Sequence, residues 1–492
     1  MSGVPSLPVT CLDRHHCRVL RPGQVVRAPG APTPVGTIYR YDRLLIDESI
    51  LDDGAARQRL EGAVRPIGLR LECQAASHVG SRHGAKRVPV SLTGRGDPTA
   101  VDAWGLLQSL RTAADEGQLP PDITEKVHLE HLLVSCGTPG ISEAEPPGSG
   151  KLKPLGRLPV DMVNPMPPRR PKKRRIRVAI LDTGVPQRHP AFDVADKASG
   201  EDAFVLVDRA FQESFAKDSD SPAMPLNDPW EGPVHENTLL GEVASHFGHG
   251  TFMTGLIRQI APDAQVYSLR VVHNDGLAYE HEVVGALHHV ADQVEAVRNG
   301  DTEAIGVDLV VLAFGYVDEN PEDQPGGWMG QAVERLTSLG IPVVAAAGNQ
   351  SSDRPFYPAA FAAHHRPETS APVLSVGALN PNRNVAMFSN DGPWVSCFAT
   401  GAGLVSTFPC EAKGSLMPDR RVRASFADRY RESHDPDDFS SGYAVWGGTS
   451  FAAPLAAAFW ANAIEEEGPI RVRNSLQASE RARGALERLR NR

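Results

Sequence analysis

Apolar positions divide the chain near residue 176. Beyond it, short runs recur without polar alternation: Ile176–Leu181, Val266–Val272, Leu309–Phe314, Val343–Ala347 and Val373–Val376. Strands covered on both faces read this way, because neither face is left for water. His281–Arg298 and Gly330–Leu339 lie between them with helical spacing. The pattern predicts an α/β fold, a doubly wound parallel sheet with helices on both faces, whose ligands bind at the carboxyl ends of the strands. Asp182 stands at such an end.

Upstream the pattern changes. Thr37–Ile46 reads as a strand and Glu48–Val64 as a helix, with Leu51, Ala55, Leu60 and Val64 near one face. Strands at Leu69–Cys73 and Arg87–Leu92 follow, then a helix at Pro98–Ala114 capped by Asp97, then a strand at His128–Cys136. This β-α-β-β-α-β order predicts a small α+β ferredoxin-like domain. Gly137–Pro171 is rich in Pro and Gly and ends in the basic run Arg169–Arg175, expected to be an extended linker with a solvated flank. The resulting plan is an extension (1–36), the ferredoxin-like domain (37–137), a linker (138–175), the α/β domain (176–466) and a helical tail (467–492). Two stretches read as surface loops: 196–245, with eleven acidic and three basic residues, and 411–440, rich in Arg, Asp and Ser.

Composition removes some function classes. A net charge of −10 gives no broad basic surface, so nucleic acid is not an expected partner. No run of about 18 apolar residues is present, so no membrane span is expected. Asp13, Arg14, His15 and His16 interrupt the stretch where a secretory signal would be apolar, so the expected location is the cytoplasm. The six cysteines (11, 17, 73, 136, 397 and 410) form no CxxC pair and are expected to be free thiols, Cys397 and Cys410 being able to pair only if the protein were exported.

Three motifs carry candidate chemistry. They are Val178-Ala-Ile-Leu-Asp182-Thr-Gly184, Gly248-His249-Gly250-Thr251 and Gly447-Gly448-Thr449-Ser450-Phe-Ala-Ala-Pro454. A serine hydroxyl is a poor nucleophile until a base takes its proton, and a histidine titrating near neutrality suits that task when a carboxylate orients it. Ser450 is thus the expected nucleophile, His249 the base and Asp182 the orienting group. Pro454 is expected in the first turn of the helix that Ser450 begins, where its missing N–H costs nothing. Ala345-Ala-Ala-Gly348-Asn349 could supply an amide for an oxyanion. Taken alone, each motif also fits a turn or a helix cap.

In this order the motifs resemble those of the subtilases, the subtilisin-like serine peptidases, over about residues 176 to 465. The resemblance implies a serine endopeptidase acting on protein or peptide substrates. It places Asn349 in the oxyanion hole and makes Ala313-Phe314-Gly315 and Ala346-Ala347-Gly348 the walls against which an extended peptide pairs. Phe252, Met253 and Thr254 depart from the family's usual His-Val-Ala, and Ala313 stands where Ser is common. Subtilase prodomains often have the ferredoxin-like pattern, so residues 37–137 are expected to be a prodomain or its descendant, or else a domain that docks a regulatory partner. A catalytically idle binding fold and a processing or defence protease activated by a partner are the other readings. The motifs require no cofactor and no metal, although many subtilases hold structural calcium and the acidic stretch could do so.

Overall fold

The computed structural model of the chain describes residues 7–72, 87–94, 101–136, 157–164, 166–199, 202–218, 226–232, 235–237, 242–321, 326–414, 421–423, 428–432, 434–435, 437–467 and 474–490. The N-terminal unit runs β1 (Ile38–Asp47), α1 (Gly54–Val64), β2 (Leu69–Glu72), β3 (Arg87–Gly94), α2 (Ala103–Asp115) and β4 (Val127–Ser135). Its strands are antiparallel neighbours in the order β4-β1-β3-β2. Asp53 breaks the expected Glu48–Val64 helix: its carboxylate accepts the Ala55 and Ala56 N–H groups and starts α1 afresh. The second helix begins later than its apolar spacing suggested, at Ala103, because Asp102 accepts the Gly105 N–H at 3.2 Å. The expected cap Asp97 and Cys73 lie outside the described residues. Leu44, Ile46, Leu60, Val90, Leu107 and Leu129 form a core separate from that of the larger unit.

The larger unit holds β5 (Arg177–Asp182), β6 (Val194–Asp196), β7 (Val205–Val207), α3 (Arg209–Asp218), α4 (His249–Ile260), β8 (Gln265–Arg270), β9 (Leu277–Tyr279), α5 (Glu280–Arg298), β10 (Leu309–Leu312), β11 (Phe314–Gly315), α6 (Trp328–Ser338), β12 (Val343–Ala346), β13 (Val373–Leu379), β14 (Cys397–Thr400), α7 (Thr449–Glu466) and α8 (Ser475–Arg490). Eight of the strands form one parallel sheet, ordered β14-β13-β12-β10-β5-β8-β7-β6. Its central strands are the predicted apolar runs, and β5 lies at the middle with Asp182 at its carboxyl end.

Two expectations change. The stretch 196–245 is not all surface loop: β7 is a sheet strand, and Phe204, Phe211 and Phe215 are buried in the main core. Its acidic average hides a short apolar period. The basic run is solvated only in part: Arg170, Lys173 and Arg174 are exposed, but its ends are held to the larger unit. Arg170 donates its N–H and guanidinium to Asp263, and Arg175 is buried against Asp202 and the Asp263 carbonyl. Helix α8 packs onto α7, where Trp460 donates its indole N–H to the Ala482 carbonyl at 3.0 Å. Among the described residues no helix is long and apolar enough to cross a membrane, and Cys11, Cys17, Cys136, Cys397 and Cys410 are free thiols.

Candidate active site

Three element ends converge at the carboxyl edge of the parallel sheet: Asp182 closes β5, His249 opens α4 and Ser450 lies in the first turn of α7. All three residues are buried. His249 Nδ1 lies 2.8 Å from Asp182 Oδ1, and an ionised carboxylate there fixes the proton on Nδ1 and leaves Nε2 as the base. Asp182 Oδ1 also accepts the Thr183 N–H at 2.8 Å. Gly250 stands next to the histidine in the motif, where a glycine could leave room for substrate. Its open face instead meets the Gly184 carbonyl, where a Cβ would collide, so this glycine lets the histidine turn close onto the aspartate turn. Trp446 and Phe451 flank the imidazole at ring-centroid distances of 5.5 and 5.1 Å. Phe252, one of the departures from the usual motif, packs on Phe451 at 4.4 Å behind the histidine, so it shapes the core and not the cleft.

The nucleophile is not aligned with its base in this state. Ser450 Oγ donates to the Ala313 carbonyl at 3.1 Å, while His249 Nε2 faces Ser135 Oγ at 3.4 Å. Pro454 is the sixth residue of α7, beyond the first turn, so its missing N–H leaves the Ser450 carbonyl without a helical donor.

Asn349 is aimed by Thr449, whose N–H and hydroxyl donate to Asn349 Oδ1 at 3.0 and 2.9 Å. With that oxygen held, the amide nitrogen donates to the carbonyl of Cys136. The Ser450 N–H, at the positive end of α7, donates to the same oxygen at 3.3 Å. The Cys136 carbonyl therefore sits between two donors, the Ser450 N–H and the amide of Asn349, the residue expected in an oxyanion hole.

Cys136 arrives there because β4 leaves its own unit. The first half of β4 pairs with β1, and the second half runs antiparallel between two strands of the larger unit. On one side Ser135 and Val134 pair with Phe314 and Gly315, and the Cys136 N–H donates to Ala313 at 2.8 Å. On the other, Val134, Leu133 and Leu132 pair with Leu277, Ala278 and Tyr279. Ala313–Gly315 pair with the chain's own β4; Ala346, Ala347 and Gly348 do not. Ala347 donates to Val376 and Gly348 to Thr449, and their carbonyls accept from Asn390, so that backbone has no groups left for a ladder. The pairing strand that sequence reading missed, β9, is three residues long, too short for any period to mark.

The subtilase family profile matches residues 173–482. The chain belongs to the subtilase family. Thermitase of Thermoactinomyces vulgaris is 29% identical over 240 residues, 49% of this chain and 68% of that protein. Subtilisin BL of Lederbergia lenta is 30% identical over 178 residues, 34% of this chain and 56% of that protein, so the match spans little more than half of that relative. A solved cold adapted subtilisin-like serine proteinase superposes with a TM-score of 0.36 and 18% identity, covering 62% of this chain and 80% of that one, a likeness too loose to bear weight.

Around Asp182, His249 and Ser450, sequence reading also missed Glu231. It lies in the acidic stretch taken for a loop, yet it is buried beneath the histidine turn, accepting the Gly248 N–H at 2.8 Å. Burial, offset in part by that hydrogen bond, pushes its carboxyl from the ordinary 4.5 up to about 8. It therefore keeps its proton at neutrality. A carboxyl raised on folding stabilises the folded chain fully below its ordinary range, and that contribution is lost as pH rises through the folded value. Glu231→Gln keeps the acceptor without the titration. Its melting temperature is expected to fall less than that of wild type between about pH 5 and 8. Parallel thermal melts over that range check this, and equal slopes would remove Glu231 from the account.

A second buried polar group joins the two units. His131 on β4 lies 2.7 Å from Glu280 and 2.6 Å from Glu319, with Asp318 at 3.7 Å. Burial alone would lower the imidazole pKa, but Glu319 and Glu280 outweigh it and hold the value well above the ordinary one. His131, Asp318 and Glu319 also carry ligand atoms within 4.8 Å of one another, a set that could hold a metal ion. As arranged, both ring nitrogens are committed to carboxylates. Nearby, His15 and Arg14 each reach Asp275 at 2.9 Å.

Proposed function

We propose that this subtilase is a serine endopeptidase that cuts peptide bonds through an acyl-enzyme on Ser450. One observation carries the reading: a peptide carbonyl of the chain itself lies between the Asn349 amide and the Ser450 N–H, beside the Asp182–His249 pair. Rotation of the Ser450 hydroxyl from Ala313 towards His249 would let Nε2 take its proton as Oγ attacks the carbonyl carbon. The tetrahedral oxyanion then accepts from Asn349 and Ser450. As the C–N bond breaks, His249 returns the proton to the leaving nitrogen, and water later releases the acyl group by the same steps. Base, nucleophile and anion donors all belong to this chain, so the chemistry asks for no cofactor. Protein or peptide in extended form is the substrate class, since the cleft holds β4 by antiparallel pairing. Neither nucleic acid nor membrane enters the reading, and free cysteines favour a cytoplasmic place.

The N-terminal unit regulates this site, in our reading, by filling it. The strand register supports Cys136–Gly137 as the bond that the enzyme cuts in itself. Residues from Arg157 onward belong to the catalytic unit: Arg157 donates to the carbonyls of Val243, Ala244, Ser245 and Phe247 just before His249. The contacts of His131 and His15 favour a unit that stays docked after the cut, to be displaced by substrate or a regulatory partner. Incubated full-length wild type is expected to yield a new N-terminus at Gly137 and Ser450→Ala none, with nicked protein the more active. N-terminal sequencing and a peptide assay check this. An uncut linker in fully active enzyme would leave a permanent docking domain as the correct reading, and a wild type that never reacts with a serine-directed fluorophosphonate would leave an idle binding fold.

A further inference from the structure

The peptidase reading leaves open which bonds are cut, and the floor of the cleft bears on that. Phe356 is fully buried, and the Tyr357 backbone beside it exchanges hydrogen bonds of 2.9 and 2.8 Å with Tyr316, which pins this segment next to β11. Its ring lies between the two segments that flank Cys136. A Cβ built on Gly315 would come within 2.5 Å of Phe356 Cε1, and one built on Gly348 within 3.1 Å of Phe356 Cδ1. Gly315 belongs to the strand along one edge of β4, and Gly348 precedes the oxyanion donor Asn349. Both glycines bare their backbone to this space, as the walls of a side-chain pocket would, yet a phenyl ring fills it. The residue whose carbonyl the chain itself sets at Asn349 and Ser450 is small: Cys136 is wholly buried, its thiol 3.9 Å from the carbonyl of Val134.

We propose that Phe356 closes the pocket for the residue whose carbonyl is attacked, so that the enzyme cuts after Gly, Ala, Ser or Cys and rejects Leu and Phe. The proposal rests on the serine peptidase reading and deepens it. A filled pocket rejects by overlap: an added side chain must displace a ring that packs on backbone at both sides, where small shifts are opposed by close packing. Opening the pocket should therefore relieve the rejection without touching the triad.

The test uses the full chain, whole and nicked between residues 137 and 156, with fluorogenic peptides Leu-Val-Ser-Xaa that repeat the sequence of Leu133–Ser135 and vary the residue at Cys136. For wild type, kcat/KM with Xaa Ala or Cys is expected to exceed that with Leu or Phe by about 100-fold, the scale of discrimination that pocket size supplies. Phe356→Gly should raise the Leu and Phe rates by at least about tenfold and change the Ala rate only a few-fold, with Phe356→Leu intermediate. Phe356→Leu keeps most of the buried volume, so it reports even if the glycine variant fails to fold, and fluorophosphonate labelling of Ser450 counts the competent sites in each sample. Wild type that cuts after Leu or Phe as readily as after Ala overturns the proposal. So does a labelled Phe356→Leu whose Xaa profile equals that of wild type. Absence of both labelling and cleavage would instead remove the serine peptidase reading, a result distinct from the other two.

Discussion

Ser450→Ala is expected to lower peptide turnover by about a million-fold, and adding Asp182→Asn to it should lower turnover no further; the scale is the one known for subtilisin. The reasoning lies in the sequence of contacts. Asp182 reaches the reaction only through His249 Nδ1, 2.8 Å away, and every proton that His249 moves belongs to chemistry begun by the serine hydroxyl. Once the hydroxyl is gone, an aligned imidazole has nothing to deprotonate, so the second loss has no step on which to act. Asp182→Asn alone, with Ser450 present, should cost about 10,000-fold, because an amide can stabilise the wrong tautomer. The four proteins assayed together, with equal folding verified by melting, decide the matter. A double variant whose loss equals the product of the two single losses would show that the residues act separately.

Asn349→Ala is the second large effect. It should reduce kcat by about 100- to 1,000-fold with KM nearly unchanged, the range established for loss of the corresponding donor in subtilisin. The amide is aimed in advance: two bonds from Thr449 hold Oδ1, so Nδ2 points at the carbonyl position before any charge develops. Donors fixed in this way stabilise the oxyanion more than the neutral carbonyl, which is why the loss should fall on kcat. Thr449→Ala removes one of the two aiming bonds and should cost less. Steady-state kinetics of both variants test this, and a folded Asn349→Ala with wild-type kcat would transfer the oxyanion role elsewhere.

The residues that converge on the candidate site, Asp182, His249, Ser450 and Asn349, could be picked out in the sequence because each lies next to a feature that local patterning marks. Asp182 ends an apolar run, His249 and Ser450 follow glycines that start helices, and Asn349 follows another apolar run. The parts that stayed hidden depend on partners distant in the chain. Leu277–Tyr279 becomes a wall of the cleft only by pairing with Leu132–Val134, more than 140 residues earlier. Glu231 reads as one acid among many until packing buries it under Gly248. Ala346–Gly348 looked free to pair because sequence does not reveal that Val376, Thr449 and Asn390 have already taken its backbone groups. Asp53, by contrast, could have been read as a cap; the continuous apolar face across it concealed the break.

The shared strand has a kinetic meaning as well. In the autoinhibition proposed above, a segment tied to its own cleft would compete at an effective concentration on the order of millimolar, set by the tether and independent of how much enzyme is present. Dilution cannot free the site. A peptide that would bind the bare cleft at micromolar concentration meets a rival about a thousandfold more abundant, so the apparent KM of the uncut chain reports the contest and not the affinity. Cutting at Cys136–Gly137 would remove the tether, and the site would then open as the contacts of His131 and His15 release β4. Activity would then track the rate at which the N-terminal unit lets go, making its dissociation, and not bond cleavage, the slow step for the first substrate.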